Sequence, residues 1–313
     1  MRMRGDEIMT IKIKRAHAIL AIALMIAIAP NALSSDKTAY REKIQKWRAE
    51  QEAELRSDNG WLVVVGLFWL KEGANSFGTD PSNEIVLPEG SAPARAGAFE
   101  FHDGKTTLRV ENGTLVTVNN EPVTTLEMRS DEKQKPDIAR LGSLQLHVIK
   151  RGQRYGVRVK DGNSRARREF TGRRWFPIRD AYRITATFVR YDKPKEIEIP
   201  NVLGDINKMP SPGYVTFKLD GKQYRIEPVL EGEDKLFFIF SDLTSGRATY
   251  GAGRFLYADL PEGGTVTLDF NQAINPPCAF TRFATCPLPP RQNRLKVAIE
   301  AGELSYGSNS EHN

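Results

Sequence analysis

The spacing of hydrophobic positions changes along this chain. Tyr40, Ile44, Trp47 and Leu55 recur at helical spacing with charged residues between them, which predicts a helix over 36–58. Asn59-Gly60 supplies the stop. Trp61 to Leu70, WLVVVGLFWL, is then strongly apolar, and periodicity alone leaves it either a buried strand or a short core helix. Beyond Leu70 the period falls to two. TTLRV, LVTV, LQLHVI, YGVRVK, YRITATFV, YVTFKL, KLFFIF and TVTLDF read as strands. Turn signals punctuate the chain at Asp103-Gly104, Asn112-Gly113, Asp161-Gly162, Asp220-Gly221 and Gly263-Gly264. The pattern predicts a mainly β fold with an N-terminal helix (35–60). One β-sandwich-sized set of strands fills 61–162. A second antiparallel β-sandwich or partial barrel fills 163–304, with LKVAIEAGE as its last strand, and a disordered tail follows at 305–313. No solenoid or propeller period is present.

The N-terminus does not fit that scheme. Lys12, Lys14 and Arg15 precede a short apolar run at Ala16–Ala29, Pro30 breaks it, and Ala32-Leu33-Ser34 offers a small-residue cleavage site. That is the layout of a secretory signal peptide, and the run is shorter than the roughly 20 residues of a membrane span. The expectation is a signal peptide at 1–34, cleavage near Ser34 and an exported, periplasmic or secreted, protein. Export changes the charge picture. The whole chain is +6, but residues 1–34 carry five Lys/Arg against two Asp/Glu, so the remainder is only +3. Nucleic acid is therefore not an expected partner.

Export also bears on the cysteines. Cys278 and Cys286 sit in FNQAINPPCAFTRFATCPLPPRQNRL, a stretch with five prolines that no helix or central strand tolerates. Two cysteines outside the cytoplasm usually pair. A disulfide would close a nine-residue loop and contribute about 2.5 kcal/mol. Past residue 34 the histidines are His102, His147 and His312, too few in any motif for a zinc site, so no metal and no cofactor is expected.

Two polar constellations could carry function. Asp242, Tyr250, Arg254, Asp269, Asn271, Asn275 and Asn293, with Thr244 and Thr249, lie among apolar strands and glycines, as pocket linings do. Arg254 could grip a carboxylate or phosphate through its fork, or could equally be a buried partner of Asp242 or Asp269. Residues 150–179 hold eleven Lys/Arg against Asp161 and Glu169, and Arg165, Arg167, Arg168, Arg173 and Arg174 could form a basic face for anionic envelope components. There is no Gly-x-Ser-x-Gly, His-Glu-x-x-His or phosphate-loop motif, and His147 reads as a core or strand-face residue.

Two resemblances add to this reading. Phe77-Gly78-Thr79-Asp80-Pro81-Ser82-Asn83-Glu84-Ile85-Val86-Leu87, Asn112-Gly113-Thr114 and Val118-Asn119-Asn120-Glu121-Pro122-Val123 resemble a forkhead-associated domain, which implies a β-sandwich over roughly 74–150. That family's phosphate-gripping positions fall on Gly78-Thr79 and Ala94-Arg95-Ala96-Gly97-Ala98. Only Arg95 remains, so a phosphothreonine peptide is not an expected partner. Gly60-Trp61-Leu62, Gly66–Leu70, Trp175-Phe176-Pro177, Asp242–Gly246, Thr249–Leu256, Asp269–Pro290, Asn293-Arg294-Leu295 and Ala301-Gly302-Glu303 are similar to the domain-of-unknown-function family numbered 1684 over nearly all of the chain beyond the signal, which implies no activity. The residues themselves favour a non-catalytic binding module with a polar, Arg254-centred pocket for an anionic or sugar-like ligand. The alternatives are a cell-envelope hydrolase using carboxylates in the same pocket, or a structural protein that makes contact through its basic face.

Overall fold

The computed structural model describes residues 36–132, 135–232 and 234–307; the expected signal peptide lies outside them. The chain divides between Ala49 and Glu50. Residues 36–49 are helical, and the helix runs on to residue 56. The chain then turns through Gly60, where a Cβ would lie 2.1 Å from the Leu55 carbonyl oxygen, so only glycine passes. Trp61–Val63 is one 3-10 turn and Val64–Trp69 a strand, which settles the apolar stretch in favour of β structure.

Within the second unit the fold is mainly β, in several largely antiparallel sheets, none closed into a barrel. A six-stranded sheet runs, in spatial order, Val64–Trp69, Arg154–Asp161, Leu144–Arg151, Ala139–Leu141, Thr117–Val118 and Glu121–Pro122. A five-stranded sheet contains Gly73–Gly78, Gly97–His102 and Lys105–Val110. The core between them holds Phe77, Phe99, Leu108, Leu146, Val148, Val157 and Val159. In Arg154–Asp161 the valines point into that core, so the alternating Arg158 and Lys160 must point to the opposite face.

Turn chemistry agrees with the pattern at several points. Asp103-Gly104 and Asp220-Gly221 have φ of 47°, 77° and 49°, 76°, the left-handed pair that a two-residue hairpin requires. Asn119-Asn120 does the same, with φ of 53° and 68°, without the glycine that marks such turns in a sequence.

The second β set has a four-stranded sheet built on the long hairpin Arg183–Pro200 and Ile206–Leu219, and a three-stranded sheet of Val229–Leu230, Lys235–Phe240 and Arg254–Asp259. Its core gathers Val215, Phe217, Phe238, Phe240, Leu256, Leu268 and Phe270. The expected last strand, LKVAIEAGE, does not join a ladder. Arg294 and Glu303 make isolated bridges, and the carbonyls between them are taken singly, Val297 by the Leu243 N–H and Ile299 by the Arg254 guanidinium. Order continues past residue 304, which corrects the expected tail: the Ser305 N–H reaches the Ala248 carbonyl, and the Tyr306 ring packs on Phe170 and Phe280.

Candidate functional site

Arg254 begins a strand directly opposite Phe240, which places its side chain in the second core. It is fully buried. One Nη2 hydrogen goes to Asp242 Oδ2 at 2.6 Å and the other to the Ile299 carbonyl at 3.0 Å, while Nη1 donates to the Ala301 carbonyl. Gly302, at φ 80°, lets this segment close in, since a Cβ there would lie 2.5 Å from the Ala273 carbonyl oxygen. Asp242 Oδ1 accepts from the Thr244 amide and hydroxyl, and the Thr244 hydroxyl meets that of Thr249. Burial pulls the Arg254 pKa down and Asp242 pushes it back. The expected ligand grip is therefore an internal tie, because both terminal nitrogens are turned to groups of its own fold; only its buried Nε has no partner among the described residues.

The other predicted pocket residues also face inward. Asn271 bonds both the N–H and the carbonyl of Arg179, and Asp269 caps the turn that carries it. Asn293 joins the amide and carbonyl of Glu227 to the Ile239 carbonyl. The Asn275 amide N–H donates to Glu303 and its Nδ2 to the Leu304 carbonyl, which leaves its buried Oδ1 without a partner among the described residues. Tyr250 is half-buried and donates to the Cys278 carbonyl at 3.0 Å. Asp242, Asp269 and Glu303 are 8%, 8% and 1% exposed, so they form no open carboxylate pair. Glu303 is paired with Arg173 at 2.7 Å, yet burial pushes its pKa up to about 7 against the pull of Arg173 and the Asn275 N–H.

The predicted basic face is dispersed rather than shared. Arg165–Glu169 is a five-residue helix capped by Ser164, and Arg165 pairs with Glu169 on its own surface. Arg167 reaches Asp58, Arg168 reaches the Asn163 carbonyl, Arg173 is buried on Glu303, and Arg174 takes the Ser305 carbonyl. A helix turn followed by irregular chain sends neighbouring arginines in different directions, so strand alternation does not apply.

Cys278 and Cys286 are neighbouring free thiols; the Cys278 N–H points at the Cys286 sulfur at 3.2 Å. Cys278 becomes the more acidic of the two, chiefly because the Cys286 thiol hydrogen-bonds to it and with the Tyr250 hydroxyl nearby, and the same hydrogen bond, with burial, pushes Cys286 up.

A further cationic cluster was not singled out from the sequence. On the outward face of the six-stranded sheet, Leu67, Arg158 and His147 lie directly opposite one another on three adjacent strands, as do Val64, Lys160 and Gln145. The row at the strand ends pairs Arg151 with Arg154. The Pro-rich cysteine loop covers part of this face: Arg151 Nε donates to the Thr285 hydroxyl, and the Thr281 hydroxyl donates to the Val64 carbonyl. Arg154 stacks on Trp69 and pairs with Asp205, and Arg151 holds Asp131 at 2.9 Å. Arg158 is 5% exposed and lies 5.1 Å from the centre of the Trp61 ring. Its Nε and Nη2 are buried with no hydrogen-bond partner among the described residues. Burial, then repulsion from Arg151, lowers its pKa to about 10; burial, then Arg158, lowers that of His147 to about 4. A residue-by-residue count of Lys and Arg over 150–179 contained this cluster, but the period-2 face of YGVRVK was the signal that separates Arg158 from its neighbours.

The site thus belongs to a mainly β protein whose sheet face and Pro-rich loop share a cationic seam. Residues 168–304 match the model of a family described as a protein of unknown function, DUF1684. The motifs at Gly60–Leu70 lie outside the matched stretch. No curated protein matches the chain. Among solved structures, it is 31% identical to an uncharacterized protein from Haloarcula marismortui, covering 47% of this chain and 81% of that one with a TM-score of 0.39. A forkhead-associated domain described in terms of phosphothreonine-dependent interactions is 22% identical, covering 30% of this chain and 92% of that one with a TM-score of 0.22. The forkhead-associated domain of FhaA, in complex with an intracellular domain, is 21% identical, covering 30% and 97% with a TM-score of 0.22.

Proposed function

We propose that this chain is an exported, non-catalytic binding protein for an anionic ligand. The observation that carries this reading is the imbalance of charge in the sheet–loop seam. Arg151, Arg154, Arg158 and Lys160 share that face, Asp131 and Asp205 are held by Arg151 and Arg154, and Arg158 Nε and Nη2 are left without a hydrogen-bond partner among the described residues. Cations gathered on a partly covered face attract an anion by Coulomb forces that the low local dielectric strengthens. Export rests on the leader-like residues 12–34. A Cys278–Cys286 disulfide would then form on export and fix the loop over the seam.

A thermal-shift screen of the mature chain against sulfate, phosphate, carboxylates and neutral sugars tests the ligand class. Anions should raise the melting midpoint and neutral sugars should not; the opposite result removes the anionic reading. Cell fractionation with the mass of the processed chain tests export, and full-length chain confined to the cytoplasm would end that part. Thiol titration of the exported, denatured protein should find no free thiol.

A further inference from the structure

Resting on that reading, we infer that Arg158 is the ligand grip, and that it receives the two-oxygen edge of a small oxyanion, a phosphate or carboxylate group, within the seam between the sheet and the cysteine loop. Nε and Nη2 lie on the same edge of a guanidinium, where their N–H bonds run parallel and match two oxygens of one acid group. These are the two Arg158 atoms that are buried without a partner. Buried donors are nearly always satisfied, and a buried cation left unpaired costs more than one exposed to water. The fold does not relieve the cost by supplying a carboxylate: Asp131 accepts from Arg151 Nη1 through both oxygens, and Asp205 goes to Arg154.

The surroundings define what fits. Trp61 lies against the guanidinium on one side, and His147 and Leu67 flank it along the sheet. Cys286, itself buried, lies close enough to act on its charge. This setting is closed and largely apolar apart from the cations. Arg151, less buried and fixed by Asp131 and Thr285, stands at the outer part of the same face, where it adds positive potential without using its own fork on the ligand.

The test is calorimetric titration and thermal shift of the full chain with inorganic phosphate, sulfate and acetate, ionic strength being held with chloride. Wild type should bind at least one of these with a midpoint shift of several degrees at saturation. Arg158→Lys keeps the charge but loses the fork and should bind about tenfold more weakly, and Arg158→Gln should not bind. Arg167→Gln, a surface cation on Asp58, should bind as wild type does. Acetate binding that is lost in Arg158→Lys supports the site as well as phosphate binding does, because both groups present the same edge. If wild type binds and both Arg158 variants bind equally well, the grip is elsewhere and the anion-binding reading survives. If no oxyanion binds wild type, both fall.

Discussion

Arg254 and Arg158 are both strand arginines buried to within a few per cent, and they are held in opposite ways. Arg254 spends its two terminal nitrogens on Asp242 and two carbonyls. Arg158 has an aromatic neighbour, two other cations nearby and an empty fork. Burial alone therefore does not separate a structural arginine from a functional one. What separates them is whether the fold supplies the counter-charge. Where it does, as at Arg254, the residue joins a strand to two loops. Where it does not, a ligand is the remaining source.

The comparison is broken most severely by removing the tie. Arg254→Met strands Asp242 in the core and should lower unfolding free energy by about 3–5 kcal/mol, read by chemical denaturation. Gly302→Ala should act in the same direction, because φ of 80° and a 2.5 Å approach to the Ala273 carbonyl displace the segment that receives Arg254. A loss below about 1 kcal/mol in Arg254→Met would mean that the pair is not holding the segment.

Next in size are two buried titrations of opposite sign. Folded Glu303 keeps its proton to about 7 against an ordinary value of 4.5, so between those pH values the folded state binds more protons and stability falls as pH rises. Folded His147 releases its proton down to about 4 against 6.5, so between those values the unfolded state binds more and stability rises with pH. Each slope reaches at most about 1.4 kcal/mol per pH unit, and from 4.5 to 6.5 they oppose. Glu303→Gln should leave a rising stability curve in that window and His147→Leu a falling one, measured by urea unfolding across pH. Parallel curves for the two variants would contradict the assignment.

Much of the fold was legible. The period-2 runs marked the mainly β fold, and Asp-Gly pairs marked two tight hairpins, because side-chain alternation and left-handed turn residues are local properties. Asn119-Asn120 and the broken last strand were not, since the first lacks glycine and the second is decided by Arg254 drawing carbonyls from across the chain. At the site, Asp242 and Arg254 could be named together but not oriented: a polar residue beside an apolar strand reads the same whether its partner is a ligand or a carbonyl. Arg158 was masked by the abundance of arginine around it. Its distinction, an unfilled fork, is a property of three strands and a loop.

Arg158→Met sharpens the comparison from the other side. In buffer free of oxyanions it removes an uncompensated buried cation and loses its stacking on Trp61, opposing effects that should leave stability within about 1 kcal/mol of wild type. A loss as large as that of Arg254→Met would show that Arg158 has an internal partner after all and is a second tie.

The smallest effect belongs to the dispersed basic run. The Arg165–Glu169 pair is 81% and 61% exposed, and Arg167 meets an Asp58 that is 72% exposed. Water screens such pairs and their long side chains lose rotamer freedom in forming them, so Arg165→Ala and Arg167→Ala should each cost less than about 0.5 kcal/mol. Arg173, a few residues on, is 6% exposed against a 1% exposed Glu303, and Arg173→Met should cost several times more, since it leaves the buried Glu303 carboxyl without its cation. Three arginines of one run would then rank by the company each keeps in the fold rather than by their charge, the same rule that divides Arg254 from Arg158. Equal costs across the run would show that exposure, and not partnering, had been misjudged there.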